Sequence, residues 1–198
     1  MTRIPKASTA HTFGGPGTGL GGKDSPGRGH PIMYGEPSKA RRFYDPFPEG
    51  GGYPKGFIKW ACRMMECDDP DSVLHLCSGS VLRGTTLDVR EEKRPNVVAD
   101  CRRTPFRDEC FDYILIDPPY SKEYARNLYD TERVYPAPGV ILREAARLLR
   151  PGGKVGLLHF QVPVIRRPLK MLGVYGVTTG SGYAIRAWTL LHKQPNTE

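Results

Sequence analysis

Two consecutive prolines, Pro118 and Pro119, constrain this chain more than any other feature. They follow Phe111-Asp112-Tyr113-Ile114-Leu115-Ile116, a run of strand length rich in aromatic and β-branched residues. Proline fixes φ, lacks a backbone donor and restricts the residue before it, so the strand must stop there and leave the sheet stiff and extended. The outcome is Asp117-Pro118-Pro119-Tyr120: a carboxylate, two peptide nitrogens without hydrogens and an aromatic ring at the carboxyl end of a strand. In open α/β sheets, ligands bind at that end. Taken alone, the tetrapeptide also fits a strand-terminating turn whose tyrosine packs on the core.

The residues upstream repeat the design. Ser72 to Ser80 reads as a buried strand (Val73-Leu74-His75-Leu76) running into a turn of small residues, Cys77-Ser78-Gly79-Ser80. Small residues let a backbone approach a ligand closely. Thr85–Val89 and Asn96–Asp100 are two further short strands. Asp88, Asp100 and Asp117 thus close three of four candidate strands. A carboxylate only accepts hydrogen bonds, which suits ribose hydroxyls and exocyclic amines; a single such Asp would be ordinary turn chemistry. Only nine positions separate Gly79 from Asp88, too few for a full crossover helix between parallel strands, so a reduced connection is expected.

Helical periodicity frames these strands. Phe57, Ile58, Trp60, Ala61, Met64 and Met65 form an apolar stripe ending at Asp68-Asp69-Pro70. Residues 122–131 read as helix or lid. Val140–Arg150 reads as a helix with Val140, Ile141, Ala145, Leu148 and Leu149 inward, and with Arg143, Glu144, Arg147 and Arg150 in water, stopped by Pro151-Gly152-Gly153. Lys154–Phe160 is the fifth strand. Val174–Thr179 and Ala184–His192 form a hairpin about Gly180-Ser181-Gly182. The alternation predicts an α/β sheet, mostly parallel, with a C-terminal antiparallel hairpin. Residues 1–50, with Gly14 to Gly22 and Pro26-Gly27-Arg28-Gly29, lack apolar periodicity and read as a flexible arm before a domain at 51–198.

The net charge of +8 is concentrated. From Arg133 onward there are ten Lys/Arg against two Asp/Glu, a distribution suited to a polyanion, most simply nucleic acid. The five cysteines show no C-x-x-C spacing and no zinc-ligand partners, so reduced thiols in a cytoplasmic protein are expected and no metal site. Nothing approaches a membrane-spanning length, and the N-terminus lacks the apolar segment of a secretory signal.

In this order the parts resemble a class I S-adenosylmethionine-dependent methyltransferase, and more narrowly an amino-methyltransferase with a (D/N)-PP-(Y/F/W) motif. The similarity covers roughly residues 57–192. It implies a Rossmann-like sheet with S-adenosylmethionine as cofactor. His75, Leu76, Cys77, Ser78 and Gly79 match the cofactor loop, and Asp88 matches the ribose-binding acid. Asp100 and Cys101 match the acid and amide at the adenine, and Leu148 to Gly153 match the segment before strand five. His75 replaces the family's first-strand acid, and Val81 replaces its third small residue. The resemblance implies that Asp117 and the Pro118 carbonyl accept the amine protons of an adenine or cytosine. Pro119 holds the turn, and Tyr120 stacks on the extruded base. DNA is expected ahead of RNA as substrate. The same motif also serves guanine-N2 and protein-glutamine methylation, and a non-catalytic nucleic-acid-binding module is the alternative. About twenty residues lie between the motif and the helix at Val140, too few for a separate target-recognition domain, so the N-terminal arm, the loop from Ser121 to Pro138, a second copy or a partner is expected to contribute specificity.

Overall fold

The computed structural model describes residues 52–178 and 184–195; the expected arm and the Gly180-Ser181-Gly182 turn lie outside them. Seven strands form one sheet: β1 (Val73–Leu76), β2 (Thr85–Asp88), β3 (Val97–Val98), β4 (Phe111–Ile116), β5 (Leu149–His159), β6 (Leu169–Val177) and β7 (Arg186–Lys193). Their spatial order is β3-β2-β1-β4-β5-β7-β6. The first five are parallel, while β7 runs antiparallel to both β5 and β6. This is the expected α/β architecture.

Central strands of a parallel sheet are covered on both faces, so their residues are apolar throughout rather than alternately. All four residues of β1 and the last three of β4 are buried. Alternate side chains feed two cores. Leu74, Leu76, Ile114 and Ile116 pack with Ile141, Ala145 and Leu148 of helix α3 (Pro138–Leu148). Val73, Leu115, Leu158 and Trp188 pack with Phe57, Ala61 and Met65 of helix α1 (Phe57–Met65).

The first crossover is reduced as expected: among the described residues no helix lies between β1 and β2, yet the two strands are parallel. So short a return needs a tight bend against the sheet. Gly84 supplies it at φ +69°, where an added Cβ would overlap the Val73 carbonyl oxygen.

Several boundaries differ from the sequence reading. Helix α3 ends at Leu148, and Leu149 already has extended dihedrals and opens β5. Pro151 disfavours helix at Arg150, so Pro151-Gly152-Gly153 lies inside the strand at a register shift rather than after a helix. Val140 is partly exposed. Strand β3 is only two residues long, as suits an edge strand, and Asp100 lies just beyond it. Strand β6 begins at Leu169, five positions before the expected Val174. Helix α1 ends at the left-handed Glu66, ahead of Asp68-Asp69-Pro70.

Glu144 is the clearest correction. Its helical phase points it to water, but it is buried under the loop before β4. Its carboxylate accepts the Thr104 amide and hydroxyl at 2.8 Å each and pairs with Arg147. Burial alone would raise its pKa, but these bonds hold it below the usual carboxylate value. Glu144→Ala orphans a buried amide and should cost about 2–4 kcal/mol in urea denaturation, whereas Glu144→Gln, which keeps the acceptor, should cost less.

Candidate active site

Parallel strands share one carboxyl edge, and this edge gathers the residues singled out by sequence. The β1 turn (Cys77 to Ser80), Asp88 at the end of β2, Asp100 just past β3 and Asp117 just past β4 all lie along it. Because β7 runs the opposite way, its first residue, Arg186, arrives at the same edge.

Asp117 is the centre of the site. The Tyr120 hydroxyl donates to its Oδ1 at 2.8 Å, and Arg186 Nη1 donates to the Tyr120 hydroxyl oxygen at 2.9 Å. Burial pushes the Asp117 carboxyl up to about 6, against the lowering influence of the Arg186 charge and of the Tyr120 bond. Burial and the neighbouring Asp117 charge push the Tyr120 phenol up as well. Pro118 is buried and Pro119 is half-buried. The Tyr120 ring lies 4.4 Å from Phe160, 5.5 Å from the His159 ring and 6.0 Å from Tyr124. Tyr124 comes from helix α2 (Lys122–Tyr129), which settles the helix-or-lid alternative as helix. Phe160 and Tyr124 are both substantially exposed, so an aromatic cluster with an open rim flanks Tyr120.

The other two acids are already partnered. Asp88 accepts the Gly79 amide at 2.8 Å and the Arg90 amide at 3.0 Å, and it pairs with the Arg90 guanidinium. That guanidinium lies 4.7 Å from the Tyr129 ring centroid. Arg102 holds both oxygens of Asp100 through Nε and Nη2. Burial works against ionisation there, but Arg102 keeps the Asp100 carboxyl below its usual value. Each acid thus has an arginine two positions later.

Around the β1 turn, polar atoms are left over. Ser78 is 1% exposed and its hydroxyl has no partner among the described residues. His75 is fully buried in the same condition at both ring nitrogens. Burial lowers its pKa to about 4, so it is neutral. Its ring faces Tyr53, at 5.8 Å between centroids, within the α1-side core. Leu76 points into the opposite core. Cys77, at φ +56°, and Cys101 approach to 3.3 Å between sulfurs, and all five cysteines are free. No group of three or more His, Cys, Asp or Glu suited to a metal ion occurs among the described residues. No helix there is long and apolar enough to cross a membrane.

Tyr53, Phe160, His159 and Arg186 also belong to this region. The Tyr53 hydroxyl is buried, unpartnered among the described residues, and opposed in its ionisation first by burial and then by Asp117 and Cys77. None of the four carries a local motif.

No protein-family model matches the chain. Over 69 residues it is 36% identical to the demethylmenaquinone methyltransferase of Mycolicibacterium paratuberculosis, a stretch covering 35% of this chain and 25% of that protein. The crystal structure of TrmN from Thermus thermophilus superposes with a TM-score of 0.54 at 21% identity, covering 72% of this chain and 50% of that one. A Burkholderia thailandensis 1,6-didemethyltoxoflavin-N1-methyltransferase, solved with S-adenosylhomocysteine, gives a TM-score of 0.45 at 13% identity, covering 70% and 78%. The chain therefore spans a quarter of the curated relative and half of TrmN. Its sheet order, its antiparallel last strands and its superposition on TrmN give it the Rossmann-like α/β fold of class I S-adenosylmethionine-dependent methyltransferases.

Proposed function

We propose that the chain transfers a methyl group from S-adenosylmethionine to an exocyclic amine of a nucleic-acid base, adenine N6 or cytosine N4, with DNA as first substrate and RNA as second. The observation that carries this reading is Asp117: a desolvated carboxylate at the ligand edge, held by Tyr120, which in turn accepts from Arg186 and packs on Phe160. An exocyclic amine is a poor nucleophile because its lone pair is delocalised into the ring. Asp117 Oδ2 and the Pro118 carbonyl accept its two protons and draw the nitrogen towards tetrahedral geometry. Pro119 stiffens the turn that presents them. Tyr120, with Phe160 and Tyr124, offers rings on which an unstacked base rests.

The residues around the β1 turn fit the cofactor. The unpartnered Ser78 hydroxyl and the His75 nitrogens, beside Leu76, Cys77 and Gly79, would hold its amino-acid end. Asp88 serves the ribose once Arg90 yields an oxygen, and Asp100 and Cys101 serve the adenine. Bound there, S-adenosylmethionine supplies an electrophilic methyl group. Orientation of amine and methyl by the chain accounts for much of the rate, and the proton leaves after transfer. Residues 51–198 form the catalytic domain and residues 1–50 an arm. The arm, the loop from Ser121 to Pro138, a second copy or a partner selects the target.

One observation favours a second reading, a non-catalytic nucleic-acid-binding module: Arg90 and Arg102 already neutralise Asp88 and Asp100. Labelled methyl transfer to duplex DNA, single-stranded DNA and RNA separates the two. Label in N6-methyladenine or N4-methylcytosine is expected. Absence of label in every substrate, with no S-adenosylmethionine bound in a titration, would leave only the binding module.

A further inference from the structure

The reduced β1–β2 crossover has a consequence on the α1 side of the molecule. A cavity of about 810 Å³ runs between α1 and the loop Ser80–Arg83 that stands in for the crossover helix. Four cations line it, Lys55, Lys59, Arg63 and Arg83, against one carboxylate, Asp68. Lys59 and Arg63 are four residues apart on α1, hence about 6 Å apart along one helix face. Lys55 continues the stripe just ahead of the helix. These three are exposed and make no ion pair among the described residues, while Arg83 is held by Asp71. A row of cations on a concave wall focuses potential and selects a polyanion.

One end of the groove borders the β1 turn. Tyr53 lines it, stacks on Phe57 at 5.2 Å and faces the His75 ring of β1 at 5.8 Å, while Ser80, also in the lining, follows Gly79, whose amide donates to Asp88. The geometry points to this groove as the track for the phosphodiester backbone of a nucleic-acid strand whose base is presented to Asp117. The inference rests on the nucleic-acid reading above and adds where the strand lies. It places the principal contact on the N-terminal helix, not on the basic C-terminal third of the chain.

The test is binding of short labelled single-stranded DNA and RNA to the full chain without cofactor, across a salt series. The double variant Lys59→Glu/Arg63→Glu should bind at least about tenfold more weakly. Its slope of log affinity against log salt should fall by about 1.4, about 0.7 for each phosphate contact removed from a single strand. Lys59→Gln/Arg63→Gln should show the same fall in slope, and it guards against misfolding. Arg166→Glu/Lys170→Glu, on exposed residues at the start of β6, should change affinity less than about threefold. DNA and RNA weakened alike means that the backbone is read, and weakening of one alone names the polymer. Wild-type affinity in both α1 variants overturns the proposal. So does an equal loss in the β6 variant, or polyglutamate binding as tightly as the oligonucleotides, which would make the occupant an acidic protein. The two readings fail separately. Groove-dependent binding without methyl transfer by wild type sinks the catalytic reading alone, whereas transfer that is insensitive to the α1 variants sinks the groove alone.

Discussion

Asp117→Asn should slow methyl transfer without abolishing it, since the (D/N)-PP-(Y/F/W) pattern admits Asn, and at the same time make the protein harder to unfold at neutral pH. The carboxylate accepts amine hydrogens, and asparagine presents one acceptor and one donor in its place. Loss of the charged acceptor at the reacting atom costs up to about a hundredfold in rate. The stability change follows from linkage. With a folded pKa of about 6 against about 3.9 when unfolded, Asp117 binds a proton in the fold that the unfolded chain releases. Its contribution to stability is present below pH 4 and is lost as the pH rises through 6. At pH 8 wild type carries a desolvated charge that Asn lacks, so the variant should gain about 2–3 kcal/mol. Tyr120 keeps its acceptor in the variant, so its bond to Arg186 need not change.

The same carboxyl sets the pH dependence of wild type. Below about pH 6 the protonated Asp117 offers one acceptor fewer, so kcat/KM should fall about tenfold per pH unit. Arg186 lowers this pKa by its charge, and Arg186→Gln should therefore shift the acid limb upward. A limb that stays in place would assign it to another group. Equal denaturant midpoints at pH 8 for wild type and Asp117→Asn would mean that the carboxylate is better solvated than its burial implies.

Where strands are contiguous apolar runs ended by turn residues, sequence and structure agree. β4 spans Phe111–Ile116 in both, and the short Gly79–Asp88 spacing already excluded a crossover helix. The misplacements have local physical causes. Leu149 and Arg150 extend the helical period of α3, but helix passes directly into strand with no loop to mark the junction. Glu144 has an outward helical phase, and only the Thr104 loop folding over it makes it buried. Arg186 and Tyr53 lie far from Asp117 in sequence. One reaches the site because β7 runs antiparallel, the other through the segment that leads into α1. Neither arrangement has a short-range signature. The pairing of Asp88 with Arg90 and of Asp100 with Arg102 had one, the shared Asp-x-Arg spacing, but its meaning depends on both acids lying at one edge.

His75→Leu should stabilise the free protein, increasingly so as the pH falls. Both ring nitrogens of His75 are buried without a hydrogen-bond partner among the described residues, and each such group costs about 1–3 kcal/mol. A buried leucine removes that cost at every pH. Protonation adds a second effect. The folded pKa of about 4 lies below the unfolded value of about 6.5, so the unfolded chain takes up a proton that the fold refuses. Stability from the neutral ring is full above pH 6.5 and is lost as the pH falls towards 4, by up to about 3 kcal/mol. Urea denaturation at pH 8 and pH 5 should therefore show a gap between variant and wild type that is wider at pH 5. A gap of the same size at both would mean that the imidazole finds a partner or takes up its proton inside the fold. Titration with S-adenosylmethionine separates a structural role from a binding one. Weaker binding by His75→Leu, despite the more stable fold, would mean that the unsatisfied nitrogens are kept for the cofactor, whereas unchanged binding would make them a cost of the α1-side core alone.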